Sequence, residues 1–234
     1  MKAPVPPASA PSTQRIYDAI YAAILEHRLA PGTRLREEEL AESFAVSRTV
    51  VRQALHRLAQ DRVVALQHHR GATVPQPGPA EAAQVFDARR VVECEVMRRL
   101  AGRLDEAALE RLAAVVDAES QALARGDRSS AIRHSGEFHR ELARLAGNPL
   151  FVRMLDELLP TTSLLLALHE RAGQPACVAH RHQELIAVLR QGSGAAAAAE
   201  MRRHLREIEQ SVVGPPVAAD TPVLRDLFAA YRQR

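Results

Sequence analysis

The sequence predicts a mainly α protein in two parts: a three-helix unit closed by a short β-hairpin, then an all-α helical bundle. Three observations carry this. Aromatic residues make up 3% of 234 and Trp is absent, so the core must come from Leu, Ala, Val and Ile, which favours helices over β-sandwiches. Apolar residues recur at helical spacing through most of the chain. The β-like runs fall only in a short stretch before Pro75-Gln76-Pro77-Gly78-Pro79, where three prolines in five residues mark a boundary.

The elements follow in order. Residues 1–12 hold four prolines and read as a flexible arm, with no apolar core of a secretory signal. From Thr13, read as an N-cap, Ile16, Ile20, Ala23 and Ile24 share a helix face that Pro31-Gly32 interrupts. Thr33–Arg36 is extended. Glu37–Phe44 is a short helix with Leu40 and Ala41 inward, and Ala45-Val46 is a turn. Ser47 caps the helix Arg48–Gln60, which buries Val51, Leu55 and Leu58. Val63–Gln67 and Ala72–Val74 are strand-like and joined by His68-His69-Arg70-Gly71. This order is that of a winged helix-turn-helix over residues 13–75. After a linker at 76–79, residues 80–214 read as helices at 80–102, 105–124, 127–146, 148–169, 175–190 and 195–213. Asp105, Asp127 and Asn148 mark starts; Gly102, Gly126 and Gly147 mark the preceding ends. Residues 215–234 form a tail, with a short helix expected within Thr221–Tyr231.

Charge divides unevenly. Residues 1–79 carry ten basic and seven acidic side chains, the remainder 21 of each, so the whole excess of +3 lies in the first third. Nearly all of those cations are Arg, suited to bidentate phosphate and guanine contacts. The helix beginning Ser47-Arg48-Thr49, with Arg52 one turn on, offers donors to a major groove. Arg36 and the wing tip His69, Arg70 and Gly71 extend that set, Gly71 permitting close backbone approach. The expected partner is double-stranded DNA. A single winged helix reads few bases, so a homodimer on a pseudo-palindromic site is expected.

Residues 14–75 resemble the winged helix of GntR-type transcriptional regulators. The family pattern Gly-Val-Ser-Arg-Thr-Pro-Val-Arg-Glu-Ala-Leu stands here as Ala45-Val46-Ser47-Arg48-Thr49-Val50-Val51-Arg52-Gln53-Ala54-Leu55. Ala45 replaces Gly, Val50 replaces Pro, Gln53 replaces Glu, and Arg62 replaces a common Gly before the wing. The resemblance implies that Arg48, Thr49 and Arg52 touch DNA and that the wing tip enters the minor groove.

The remainder resembles the FCD ligand-binding domain of the FadR-like subgroup. The matching stretches are Arg89-Arg90-Val91-Val92-Glu93, Phe138-His139 through Gly147-Asn148, His182-Gln183-Glu184-Leu185-Ile186 and Met201-Arg202-Arg203-His204-Leu205. In metal-binding members an Asp and three His hold one divalent ion. The resemblance places His139, His182 and His204 at the His positions and Ser135 at the Asp position. Three imidazoles with an open position suit Zn²⁺ or a similar metal, which an effector carboxylate can complete. The same three histidines also fit a polar pocket that hydrogen-bonds a small organic acid directly. Arg89 is either an effector anchor or the partner of Glu93 in a surface salt bridge at i+4.

Cys94 and Cys177 read as reduced thiols of a cytoplasmic protein; Cys177 is either a redox sensor or a packed small residue. No apolar run reaches the roughly 20 residues of a membrane helix. The main functional reading is an effector-responsive regulator, of repressor type, and not an enzyme. The alternatives are a metal-dependent enzyme using the His cluster, which lacks a His-Glu-x-x-His motif, and an architectural DNA binder, which would need no neutral helical partner.

Overall fold

The computed structural model describes residues 11–25, 28–67, 71–169, 179–212 and 224–229. They form α1 (Ser12–Leu25), β1 (Arg34–Leu35), α2 (Glu37–Phe44), α3 (Arg48–Gln60), β2 (Ala65–Gln67) and β3 (Gly71–Thr73). Then come α4 (Pro79–Leu100), α5 (Glu106–Ala124), α6 (Arg128–Leu145), α7 (Pro149–His169), α8 (Ala179–Gln191), α9 (Gly194–Ser211) and α10 (Leu224–Leu227). Contacts divide the chain into a unit of residues 1–76 with 217–234 and a unit of residues 77–216.

In the first unit the inward stripes of three helices meet. Ile16, Ile20, Ala23 and Ile24 of α1 are buried with Leu40 of α2 and Val51, Leu55 and Leu58 of α3. The strands form an antiparallel sheet of order β1-β3-β2, with Leu35 opposite Ala72 and Gln67 opposite Gly71. Gly71 has φ +90°, and a Cβ there would lie 2.1 Å from the Leu35 carbonyl oxygen, so only glycine lets β3 pass β1 this closely. Within the stretch read as a tail, Phe228 beside α10 packs its ring 5.0 Å from that of Phe44 on α2.

Several boundaries move. Helix α1 begins at Ser12, so Thr13 is not its cap; its hydroxyl bonds Gln53 of α3 instead. Val63 and Val64 are buried in the turn, where their N–H groups bond the Leu58 carbonyl, and pairing starts at Ala65. Pro79 opens α4 and so leaves the expected linker, because the first turn needs no N–H donor.

Ala45 and Arg62 are the non-glycine residues with positive φ among the described residues, at +53° and +54°. Both stand where the resembled pattern has glycine. Left-handed backbone costs an L-residue about 1–2 kcal/mol, and glycine returns part of that as unfolded-state freedom, about 0.4–1 kcal/mol. Ala45→Gly, at an exposed position, is therefore expected to raise stability by up to about 1 kcal/mol. Urea unfolding checks this; a lowered midpoint would contradict it.

Among its described residues the second unit is built of helices and the turns between them. α5 and α6 start under the side-chain caps of Asp105 and Asp127, Asn148 accepts from the Leu150 N–H at the start of α7, and Ser193 caps α9. Gly102, Gly126 and Gly147 take positive φ at the preceding ends. α4 packs against α6, α7 and α9, and α8 against α5 and α9. Among the described residues no helix is long and apolar enough to cross a membrane.

Candidate nucleic-acid interface and buried histidine centre

In the first unit, Ser47 caps α3 by accepting from the Val50 N–H, and Arg48, Thr49 and Arg52 are exposed at the helix's N-terminal end. A residue that the sequence reading did not single out organises them. Glu37 of α2 receives both the Nε and Nη2 of Arg52, at 2.9 and 2.7 Å, and lies 4.0 Å from Arg48 Nε. The hydrogen bonds from Arg52 hold the Glu37 carboxyl below the usual carboxylate range. Arg36 pairs with Glu39 at 3.1 Å. Arg34, Arg36, Arg48, Gln67 and Thr73 line one open groove with Glu37. Gly71 borders that groove as well; His69 and Arg70 lie outside the described residues.

In the second unit, His139 from α6, His182 from α8 and His204 from α9 converge. One ring nitrogen of each lies within 4.8 Å of the others, and the rings are 98% or more buried. Two carboxylates brace them. Glu93 of α4 lies 2.5 Å from His139 Nδ1, and Glu119 of α5 lies 2.6 Å from His182 Nδ1. Burial alone would raise the Glu93 pKa, but Arg89 and His139 pull it down to about 2, so this carboxylate is ionised and can only accept. Burial lowers His139 to about 4 against the opposing pull of Glu93. His139 is thus neutral, carries its proton on Nδ1 and keeps a bare lone pair on Nε2. Nε2 of both His139 and His204 is buried without a hydrogen-bond partner among the described residues. Burial and the two neighbouring imidazoles keep His204 neutral as well.

Two bare ring nitrogens, on His139 and His204, with carboxylates on Nδ1 of His139 and His182, fit a divalent metal better than they fit a closed apolar core. Ser135 is buried one turn before His139 and lines, with Glu119 and Arg128, a cavity of about 20 Å³, room for one water. Negative charge reaches this centre through Glu93 and Glu119, although position 135 has none. Glu119 was legible as a lone acid on the apolar stripe Leu112–Val116 of α5, but its partner was not.

Arg89 makes the expected i+4 pair, though not at the surface. It pairs with Glu93 at 2.6 Å, but the pair is buried rather than superficial, and Arg89 Nη2 has no hydrogen-bond partner among the described residues. Glu93 therefore serves a guanidinium and an imidazole at once. Cys94 is a buried free thiol whose pKa burial raises; Cys177 lies outside the described residues.

An exposed arginine-bearing helix in a winged unit, joined to a separate helical unit, defines a DNA-binding transcriptional regulator. The chain belongs to the gntR family of bacterial regulatory proteins: residues 12–74 match that family, and residues 84–207 match the FCD domain. It is 27% identical over 203 residues to the HTH-type transcriptional repressor RspR of Escherichia coli, covering 86% of this chain and 89% of that one. It is 31% identical over 199 residues to an uncharacterised HTH-type regulator in an unstable DNA locus of Streptomyces ambofaciens, covering 82% and 81%. A transcriptional regulator GntR from Rhodococcus sp. RHA1 superposes with a TM-score of 0.71 at 26% identity, over 86% of this chain and 97% of that one. RspR and the gluconate operon transcriptional repressor of Bacillus licheniformis, both similar to this chain, are named as repressors, which favours a regulator over the metal-dependent enzyme.

Proposed function

We propose that this chain is a cytoplasmic, effector-responsive repressor of the FadR-like kind, with DNA read by residues 13–75 and the effector bound within 80–214. Arg36, Ser47, Arg48, Thr49 and Arg52, with His69, Arg70 and Gly71 of the wing, are its proposed DNA contacts. The observation that carries the effector half is the pair of orphaned imidazole nitrogens beside an orphaned Arg89 donor in one buried centre. His139, His182 and His204 would hold a divalent metal, with Zn²⁺ the chemical match. Bound there, such an ion supplies Lewis-acid attraction for a carboxylate. Arg89 Nη2 offers that carboxylate a charged hydrogen bond. The three histidines and Arg89 are buried, and the neighbouring cavity of about 20 Å³ is lined by none of them, so an organic acid would reach them as the helices part. Binding would then favour an opened state of this unit and shift the DNA-binding equilibrium with it.

Elemental analysis of purified protein, with operator anisotropy against small organic acids, tests this. The expected result is one metal per chain in wild type, none in His182→Ala, and tighter binding in Ser135→Asp. Metal-free wild type that still releases DNA with effector would reduce the histidines to hydrogen-bonding groups.

A homodimer is proposed to form on the α4 and α7 face. Val91 of α4 is 76% exposed, and Leu150 and Met154 of α7 are 51% and 49% exposed, beside a groove lined by Val92, Phe151 and Leu158. The exposed side of α4 runs from Glu81 and Asp87 to Arg98 and Arg99, so an antiparallel copy sets acids against bases about a two-fold axis near Val91. Val91→Cys should then cross-link to its own copy under oxidation, and Met154→Glu should give a monomer by sedimentation. A wild-type monomer would remove the dimer; a dimer untouched by both changes would move its interface.

A further inference from the structure

Helices α4 and α9 carry Arg89, Glu93 and His204 into the histidine centre. The same two helices also form a groove of about 560 Å³, which shares Asp87, Val91 and Arg98 with the edge of the proposed dimer face and runs from there over Arg90 and Cys94 to Arg202 and Arg206. The charges in it are unequally matched. Arg90 binds Asp87 and Glu209, and Arg98 binds Glu95. Arg203, next in sequence to Arg202, binds Glu200 and Glu184. Arg202 and Arg206 are exposed, lie one turn apart on α9, and make no ion pair among the described residues. Like charges at i, i+4 repel, so this pair is costly without a counter-charge. Burial raises the pKa of the Cys94 thiol on the groove floor, and Arg202, Arg90 and Arg206 oppose that rise while Glu93 adds to it.

We propose that this groove is a second ligand site, which takes a small dianionic oxyanion, a phosphate monoester or a dicarboxylate, on Arg202 and Arg206 with Arg90 at its edge. Guanidinium forks match both headgroups in bidentate geometry, and two negative charges offset the two unmatched arginines. An anion spanning α4 and α9 fixes the spacing of the helices that hold Arg89, Glu93 and His204. Occupancy of the groove is then linked to the histidine centre, reciprocally. The site itself rests on residues that the histidine centre does not use, so it stands whether or not metal binds there.

Isothermal titration of the full-length protein with inorganic phosphate, and separately with succinate, tests it. At least one is expected to bind once per chain, more weakly as NaCl rises, and roughly tenfold or more weakly in Arg202→Gln/Arg206→Gln. The same binding is expected to persist in Arg48→Ala/Arg52→Ala, which separates the groove from the DNA face. It should persist in His182→Ala too, which separates it from the histidine centre. Binding of phosphate alone assigns a phosphoryl ligand, and of succinate alone a dicarboxylate. No heat with either at about 10 mM would overturn the proposal, as would full affinity in the arginine double variant. Sedimentation of that variant supplies the last arm: a lost dimer with retained anion binding would assign the arginines to contact between copies and overturn the site.

Discussion

Arg48→Ala and Arg52→Ala are each expected to weaken specific operator binding by roughly 1–3 kcal/mol, about 5- to 150-fold, with losses that add in the double variant if the two contact separate bases. Both side chains are exposed at the N-terminal end of α3, where a helix in the major groove meets base edges. Anisotropy against operator and scrambled DNA distinguishes the two kinds of contact. A base contact loses affinity only for operator; a phosphate contact loses it for both and lowers the salt slope by about one. Glu37 adds a signed control. It now holds Arg52 in two hydrogen bonds, so Glu37→Gln frees a guanidinium and removes a negative charge from the groove. Non-specific affinity is expected to rise in that variant while discrimination falls. Unchanged operator affinity in the arginine double variant would remove α3 from the interface.

The second large effect is expected from Glu93→Gln. Glu93 is the buried anion beside the buried Arg89, and it also fixes the His139 tautomer. Removing it leaves a guanidinium uncompensated in the core, a change that costs about 3–5 kcal/mol. Against a typical total stability of roughly 5–15 kcal/mol, urea unfolding should register this as a large loss. Arg89→Met added to Glu93→Gln should recover most of it, since a neutral pair no longer needs a counter-charge. A destabilisation that persists undiminished in the double variant would show that Glu93 matters through His139 and not through Arg89. If the histidines hold metal, Glu93→Gln should also weaken it about 10- to 100-fold, the usual effect of losing a carboxylate behind a ligating imidazole.

These two sites were legible to different depths. At the DNA face, Ser47, Arg48, Thr49 and Arg52 follow one another on one helix, so the cap and the exposed side are set by spacing alone. The hold of Glu37 on Arg52 joins residues fifteen apart on two helices, and no periodicity encodes it. The FCD resemblance grouped His139, His182 and His204, but only as positions on three helices.

The amino-acid sequence by itself determined the helical class, the hairpin, the order of elements and most helix ends. Those depend on short-range physics: the caps Asp105, Asp127 and Asn148, the positive-φ glycines, and apolar stripes at helical period. The departures Ala45 and Arg62 from a glycine pattern were visible there too, but that both take left-handed backbone is a finding of the structure. Tertiary structure alone decided that Glu93 reaches His139 across 46 positions and Glu119 reaches His182 across 63, and that the Arg89 pair is buried. Such contacts are set by how helices rotate and approach as their apolar faces close. Helical spacing fixes which side of its own helix Glu119 occupies; packing of α5 against α8 fixes what that side meets.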